Sequence, residues 1–450
     1  MARGQNMTTG NEAKHIILFA LPLLGGNILQ QTYNFADTAI VGRFLGSEAL
    51  AAVGSTGSLT FLFFTLCMGL STGAGIIVAQ YFGADNRTRL NSAIICSAIV
   101  TICVGLLTSL ASIVLTVPLL GLLDVPKELL PIAATYMRIA CGGTICVAAY
   151  NWINAVMRAL GDSKTPLMFL IISTFLNVAL DLLFVVGFGL GVAGAAWATV
   201  TAQGLSAFLC IFWCFHGDRL IKMKWTKDAI RGDMIWICIR TGLPVAFQFS
   251  LISVSMAALQ RVTNGFGGTV MSAYTIGMRI EQLVHQPFAS ISTAISTFAG
   301  QNIGAGKRDR AVKGLHTAIK ISIITSFVLA AVFITLGRHI AGLFVTDNPD
   351  VTVLAGKALS ITGCFYWALG LIYIVRGFLN GSGDTGYALL NGITEVICRI
   401  SFSLILTSIP LISYWGIWLT TACTWLITAA VGLIRYKSGR WAAKAIATNE

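Results

Sequence analysis

Charged side chains are scarce in this sequence. Asp, Glu, Lys and Arg make up only 11% of its 450 residues, whereas hydrophobic residues make up 56% and the mean hydropathy is +0.80. Soluble domains carry roughly 25% charged residues, so this chain has too little charge to cover a surface that faces water. The composition therefore excludes the soluble multidomain enzyme that length alone favours. It indicates that most of the chain lies in lipid.

Catalytic and metal-binding motifs are missing as well. The 11 cysteines form no CxxC pair and the five histidines form no HExxH motif. Cysteines in apolar segments are expected to be reduced side chains of the core. Residues 381–384 (GSGD) and 384–386 (DTG) match aspartyl protease signatures, but both lie in a short loop related to residues 161–165 (GDSKT). We expect the acid of each loop to cap a helix, and we predict neither enzymatic activity nor a cofactor.

Long apolar runs take the place of these motifs. A hydrocarbon layer of ~30 Å is crossed by about 20 apolar residues in a helix, and twelve segments of the chain are long enough. They are 15–41, 51–82, 92–117, 130–157, 167–188, 192–215, 235–262, 270–300, 315–342, 353–379, 387–408 and 413–435. The sequence therefore predicts an all-α polytopic membrane protein with twelve transmembrane helices.

The net charge of +12 is concentrated in short segments between these runs. Lys and Arg favour the cytoplasmic side of a membrane, and most of them fall on one side if the N-terminus is cytoplasmic. We therefore predict a multi-pass protein of the plasma membrane with both termini in the cytoplasm, and we expect no nucleic-acid partner. The polar residues 1–14 enter the first run without a small-residue cleavage site, so no cleavable signal peptide is expected.

The two halves of the sequence repeat one another. Residues 78–93 read VAQYFGADNRTRLNSA and residues 299–314 read AGQNIGAGKRDRAVKG, so that the glutamine, the Gly-Ala pair and both arginines recur 221 positions later. Leu21-Pro22 likewise returns as Leu243-Pro244. We predict an N-terminal six-helix lobe at 1–216, a basic cytoplasmic linker at 217–234 and a C-terminal six-helix lobe at 235–450. An even number of spans orients both lobes alike, with a pseudo-twofold axis along the membrane normal, as in many transporters.

Acidic residues inside the apolar segments are candidates for function, because a charge in lipid costs about 2.5–3.5 kcal/mol on insertion scales. Asp37 lies near the outer end of the first segment, and Asp181 near that of the fifth, with Asn177 one helical turn before it. Thr199 lies at a similar depth in the sixth segment. Carboxylate, amide and hydroxyl oxygens suit a hard cation such as Na⁺, and two neighbouring carboxylates can instead hold a proton. The alternative is that Asn177 and Asp181 only hydrogen bond between helices.

The second half offers weaker candidates. Glu281 precedes His285 by four residues, and we treat it as a possible cation site of the C-terminal lobe. Glu395 is a second possibility, but Arg399 follows it by four residues, and an ion pair within one helix is the simpler interpretation. Pro22 removes a backbone hydrogen bond early in the first helix and is expected to bend it.

Several of these segments resemble the multidrug and toxic compound extrusion (MATE) family over essentially the whole chain. The resemblance is carried by Leu21-Pro22, Asp37 with Val41-Gly42, residues 49–54, the Gly-Ala-basic loops at 83–89 and 304–310, and residues 158–166 (RALGDSKTP). It implies export of organic, often cationic and amphipathic compounds in exchange for Na⁺ or H⁺.

The resemblance also implies where the coupling cation binds. In the DinF-like branch the cation is thought to bind in the N-terminal lobe, at positions that match Asp37, Asn177, Asp181 and Thr199, and the family's helix-one proline matches Pro22. Other branches use an acid in helix seven, and residues 243–261 contain none. This difference favours coupling in the N-terminal lobe.

The resulting hypothesis is an antiporter that works by alternating access. Its partners would be small-molecule substrates, Na⁺ or H⁺ and membrane lipid, and a monomer suffices. One rival is a flippase for lipid-linked oligosaccharides from the same superfamily, which would need a cavity rich in Arg and Lys to hold pyrophosphate. The helices hold few cations, mainly Arg138, Arg279 and Arg399. An intramembrane enzyme is the weakest alternative, because no paired catalytic motif lies at membrane depth.

Overall fold

The computed structural model describes residues 6–123, 125–215, 227–344 and 348–447. Thirteen α-helices occupy most of these ranges. They are α1 (Glu12–Gly83), α2 (Arg87–Leu122), α3 (Leu130–Gly142), α4 (Thr144–Ala159), α5 (Lys164–Asp181), α6 (Gly191–Phe215), α7 (Gly232–Asn264), α8 (Gly268–Gly304), α9 (Arg308–Gly342), α10 (Pro349–Gly363), α11 (Tyr366–Gly381), α12 (Gly386–Ser408) and α13 (Gly416–Lys437). A π-helix (Leu182–Gly187) follows α5, and 3₁₀ turns lie at Lys227–Ala229, Ser413–Trp415 and Arg440–Lys444.

The longest helix, α1, joins two of the predicted segments. Its 72 residues are interrupted at Gly46, whose φ of 85° and ψ of −179° lie outside the helical region. An L side chain rarely adopts that φ, so glycine permits the break. The break falls between segments 15–41 and 51–82, as their separation in the sequence predicts.

The length and apolarity of the helices confirm the predicted polytopic α-helical class. In the described ranges, eight helices are long and apolar enough to cross a membrane, or ten if the bent pairs α3–α4 and α10–α11 each count as one span. The bends are 41° and 52°. All twelve predicted segments fall on helices, apart from residues 143 and 364–365 at the two bends and residue 188 at a segment end. α1 holds two of the segments, and α8 holds one although it is not among the eight apolar helices. The apolar run of α8 is interrupted by Arg279, Glu281 and His285.

The helices form two compact units. Among the described residues, the N unit contains those of Leu21–Ala246, and the C unit contains those of Met7–Ala20 and Phe247–Glu450. The start of α1 thus packs with the C unit, and the start of α7 packs with the N unit. The predicted lobe boundaries stay a prediction, and residues 217–226 of the predicted linker lie outside the described residues.

Small residues allow α8 and α11 to pack closely in the C unit. A Cβ atom at Gly377 would lie 2.5 Å from the carbonyl oxygen of Ser292 and 2.6 Å from its Oγ. A Cβ atom at Gly381, one turn later, would likewise be too close to the backbone of Ser296. Such contacts replace the hydrophobic driving force that helices lack in lipid.

Gly377→Ala is expected to destabilise the protein by about 1–3 kcal/mol, the usual cost of overpacking a tight contact. The added methyl group would have to displace the backbone of α8, which cannot rotate away as a side chain can. The measurement is thermal unfolding of the purified protein in detergent. Gly386→Ala, at a position with no atom within 4 Å of the added Cβ, is the matched control. Equal unfolding temperatures for the two variants would contradict the close packing.

The predicted helix caps in the two related loops behave differently. Asp162 accepts hydrogen bonds through Oδ1 from the backbone N–H groups of Lys164 and Thr165, both at 3.0 Å, as expected for the cap of α5. For Asp384 the capping prediction is wrong. Its carboxylate instead accepts two hydrogen bonds from the guanidinium of Arg435, at 2.7 and 2.9 Å. A charged donor on α13 therefore takes the place of the backbone amides of α12.

Candidate functional site

The structure brings together the side chains predicted to form the cation site of the N-terminal half. Asp37 lies on α1, Asn177 and Asp181 on α5, and Thr199 on α6, all within the N unit. The carboxyl groups of Asp37 and Asp181 are close enough to interact directly. The amide nitrogen of Asn177 donates to Oγ1 of Thr199 at 3.4 Å. Residues far apart in the sequence thus form one polar cluster.

Acceptor oxygens in this cluster lack donors. Asp181 is 0% exposed and Asn177 is 1% exposed. Oδ1 of Asp37, Oδ1 of Asn177 and both carboxylate oxygens of Asp181 are buried without a hydrogen-bond partner. Buried polar atoms are nearly always paired, so four unpaired acceptors at one place need an explanation. A proton or a metal cation is the group that such a set of oxygens lacks.

The local backbone places the two α5 side chains toward the same point. Asn177 and Asp181 are one helical turn apart and therefore lie on one face. Directly after Asp181 the helix widens into the π-helix Leu182–Gly187, in which the N–H of Phe188 donates to the carbonyl of Leu183 at 2.8 Å. Single turns of this kind are rare and occur often at functional sites. Nothing in the sequence indicates this turn.

Two tyrosines complete the cluster, and the sequence reasoning missed them both. The hydroxyl of Tyr33 lies 3.3 Å from Oγ1 of Thr199. Tyr136 of α3 is near enough to Asp37, Asp181 and Tyr33 to interact electrostatically with all of them. Tyr33 precedes Asp37 by four residues on the same helix, and this spacing could have identified it. Tyr136 has no comparable signal, because only the packing of α3 brings it here.

The candidates of the C-terminal half are arranged differently. Oε1 of Glu395 accepts a hydrogen bond from the amide of Asn391 at 2.7 Å. The expected ion pair between Glu395 and Arg399 is wrong for the described residues, since the ion pairs found there do not include it. Arg399, which is 1% exposed, instead lies in the electrostatic neighbourhood of Glu281 and His285.

Nearby cations distinguish the acids of the two units. Arg399 acts on Glu281, and Arg376 lies with Glu395 beside Tyr373 and Tyr387. In the described part of the chain, no Lys or Arg is found among the groups that act on Asp37 or Asp181. Buried charges require a partner, so a proton or a bound cation has to neutralise the Asp37–Asp181 pair.

Pro22 lies within α1, where the backbone stays helical, and the non-helical break of this helix is at Gly46. The predicted bending role of Pro22 remains a prediction.

A family model matches the chain twice, once in each half of the sequence. The model of the MatE family matches residues 22–183 and again residues 244–405, which together exceed half of the chain. The chain belongs to the MatE family. The two matches begin at Pro22 and Pro244, so the family model corresponds to the repeat found in the sequence.

Similar proteins match most or all of this chain. A probable multidrug resistance protein of Bacillus subtilis, YpnP, is 31% identical and is covered completely, as is this chain. A FAD transporter of Shewanella oneidensis is 26% identical over 81% of both chains. A crystal structure of a MATE protein in complex with MaL6 superposes with a TM-score of 0.91 at 22% identity, covering 98% of this chain and 99% of that one. The structural likeness shows the shared fold.

Membership of the MatE family makes this chain a membrane transporter and not an enzyme. The aspartyl protease signatures at residues 381–386 are therefore coincidental, in agreement with the engagement of Asp384 by Arg435. Within a MatE transporter, the donor-poor cluster of the N unit is the candidate functional site.

Proposed function

We propose that this MatE protein is a secondary active antiporter that exports organic, often cationic and amphipathic compounds in exchange for Na⁺ or H⁺. The single observation that carries the proposal is the set of buried acceptor oxygens on Asp37, Asn177 and Asp181 that have no donor. A site of this kind is completed by a cation. In a transporter, a cation that binds in exchange for substrate supplies the driving force.

Either cation suits the chemistry of the cluster. Two interacting carboxyl groups can share one proton, which would turn one oxygen of the Asp37–Asp181 pair into a donor. Alternatively, oxygens of both carboxylates, the Asn177 amide and the Thr199 hydroxyl supply the hard ligands that Na⁺ takes. Binding of the cation disfavours bound substrate, and linkage requires that substrate disfavours the cation equally. Alternating access then exchanges one for the other.

The names of relatives support the breadth of substrate in this proposal. YpnP of Bacillus subtilis is named a probable multidrug resistance protein, and MepA of Staphylococcus aureus is named a multidrug export protein. The relative from Shewanella oneidensis, named a FAD transporter, makes an anionic flavin nucleotide the second substrate class to test. We place the protein in the plasma membrane as a monomer, with both termini in the cytoplasm and in contact with membrane lipid.

The test uses purified protein in liposomes loaded with a fluorescent organic cation such as ethidium. Na⁺ and H⁺ gradients are imposed one at a time, and the initial rate of dye movement is measured. One gradient is expected to accelerate transport. Coupling between two ligands changes binding affinity by about 5–150-fold, and a rate that follows this affinity would change by the same factor. Dye-loaded liposomes without the protein, under the same gradients, are the control.

Two results would contradict the proposal. A rate of dye movement that is the same with and without each gradient would exclude coupling to these ions. If the dye does not move but FAD is transported under a gradient, the proposed substrate class is wrong. The antiport mechanism would then apply to an anionic flavin nucleotide.

A further inference from the structure

A short segment at the start of the chain is docked onto the end of α8, the start of α9 and the residues between them. The backbone N–H of Met7 donates to Oε1 of Gln301 at 2.9 Å. The carbonyl of Met7 accepts from Nδ2 of Asn302 at 3.2 Å and from Nε and Nη2 of Arg310 at 3.3 and 3.2 Å. The ammonium of Lys307 donates to the carbonyl of Thr8 at 2.9 Å. Met7 itself is 0% exposed.

One ion pair joins this segment to the start of α9. Nη1 of Arg310 lies 2.9 Å from Oε1 of Glu12, the first residue of α1. The first turns of α1 continue the docking, because Ile16 and Phe19 are each 1% exposed. All of these contacts are formed inside the C unit. The side chains of α8 and α9 thus bind mainly the backbone of the segment. The acidic side chain of Glu12 fixes the position of the segment along them.

The N unit contains an equivalent docked segment. There the residues before α7 lie against the start of α2, where Oγ of Ser92 donates to the carbonyl of Ala229 at 2.7 Å. The backbone N–H of Arg231 donates to Sγ of Cys96 at 3.5 Å. Nη1 of Arg89 lies 2.6 Å from Oδ2 of Asp233, in the first turn of α7.

The two ion pairs are related by the internal repeat. Arg310 follows Arg89 by 221 residues, and Asp233 follows Glu12 by the same number. Each arginine belongs to the repeated Gly-Ala-basic motif, and each acid lies in the first turn of the first helix of a repeat. The partners are exchanged between repeats, since the arginine of one repeat holds the acid of the other.

We infer that the repeated Gly-Ala-basic motif is a peptide-docking site whose occupant is the chain segment that begins the first helix of the other repeat. Residues 7–12 occupy the site of the C unit, and residues 229–233 occupy the site of the N unit. Arg89 and Arg310 are positioning residues, since they act through the helix starts that they hold.

The helix whose start is docked also carries a residue of the candidate cation site. The start of α1 is fixed in the C unit, and the same helix carries Asp37 in the N unit. Pro22 follows the boundary between the units at residues 20 and 21, and Pro244 precedes the one at residues 246 and 247. Proline weakens a helix by removing a backbone hydrogen bond. Each exchanged helix therefore has a proline within three residues of its unit boundary.

A neighbouring ion pair in the same motif makes no contact with a docked segment and can be compared by its exposure. Arg87 and Asp85 are 3.0 Å apart, but their side chains are 70% and 81% exposed. The side chains of Arg89 and Arg310 are only 19% and 17% exposed. Arg87 and its repeat counterpart Arg308 are therefore matched control positions, two residues before each positioning arginine.

The test in the N unit uses a native thiol as reporter. Cys96 is 0% exposed and contacts the docked segment at residues 229 and 231. Purified protein in detergent is treated with a maleimide, and labelling of Cys96 is followed by peptide mass spectrometry. Arg89→Ala and Asp233→Ala are expected to raise the labelling rate about tenfold, whereas Arg87→Ala leaves it unchanged. Asp233 also pairs with Arg231 at 3.2 Å, so the charge exchange Arg89→Asp with Asp233→Arg is expected to restore protection in part.

The test in the C unit introduces the reporter at Met7→Cys, where the hydrogen bonds to the loop are made by the backbone. Arg310→Ala and Glu12→Ala are expected to expose this thiol about tenfold, and Arg308→Ala is the control. The exchange Arg310→Glu with Glu12→Arg is expected to restore protection only in part, because it restores the ion pair but a glutamate cannot donate to the carbonyl of Met7 as Arg310 does. A general loss of folding would allow no recovery at all. Unchanged labelling in the alanine variants, or equal labelling in the controls, would overturn the docking. The assay needs no substrate or gradient, so its outcome is independent of the proposed antiport.

Discussion

Asp181→Asn is expected to lower ion-driven export by about 5–150-fold, the size of the coupling that the cation supplies. Asparagine has nearly the same shape as aspartate, and apart from the interacting carboxyl group of Asp37 no described group binds the carboxylate oxygens of Asp181. The substitution therefore removes the cation-binding charge without removing a structural contact. Asp37→Asn is expected to have the same effect, because the two carboxyl groups interact. The measurement is the initial rate of dye movement in liposomes under the effective gradient.

Two controls separate this effect from a general loss of charge. Glu395→Gln retains the oxygen that accepts from Asn391 and is expected to transport at a rate close to that of the unmodified protein. Asp85→Asn alters a side chain that is 81% exposed and is expected to have no effect. If Asp181→Asn transports normally and Glu395→Gln does not, the coupling site lies in the C unit and our assignment is wrong.

Arg435→Ala is expected to destabilise the protein by about 3–5 kcal/mol, the usual cost of leaving one member of a buried ion pair without its partner. Asp384 is the buried member, with a side chain only 2% exposed, and the guanidinium of Arg435 provides the paired hydrogen bonds to its carboxylate. Removal of Arg435 leaves that charge without its cation. Denaturation of the purified protein in detergent, followed by circular dichroism, measures the loss.

A double variant tests the physical cause. Asp384→Asn together with Arg435→Ala removes the uncompensated charge and should recover much of the lost stability. Arg87→Ala, which breaks the exposed pair with Asp85, is expected to cost no more than about 1 kcal/mol, as surface pairs usually do. Similar losses for Arg435→Ala and Arg87→Ala would show that burial does not strengthen the Asp384 pair.

The membrane architecture was predictable because it depends on local properties of the sequence. A hydrocarbon layer requires long apolar helices, so segments such as 92–117 can be recognised from their length and hydropathy alone. The repeat was predictable too, because Arg89 and Arg310 lie in motifs that can be aligned by eye. The cost of a carboxylate in lipid likewise identifies Asp37 and Asp181 as candidates from their positions in apolar segments.

Other features depended on which neighbours a side chain meets. Asp162 and Asp384 occupy related loops, yet Asp162 caps a helix and Asp384 pairs with Arg435, because only the second loop lies beside an arginine of α13. Glu395 and Arg399 have the spacing of an ion pair, but Asn391 on the preceding turn of the same helix binds the carboxylate. Spacing along a helix determines which groups are able to meet, and competition among neighbours determines which of them do.

The sequence by itself determined the fold class, the twofold repeat and the acids of the candidate site, since each follows from composition, periodicity or the cost of charge in lipid. Only the tertiary structure decided that Tyr33 and Tyr136 join those acids, that a π-helix follows Asp181, and that the first helix of each repeat begins in the opposite unit. The physical reason is that these features rest on contacts between residues distant in the chain. Such contacts are set by packing in three dimensions, and a one-dimensional pattern does not record them.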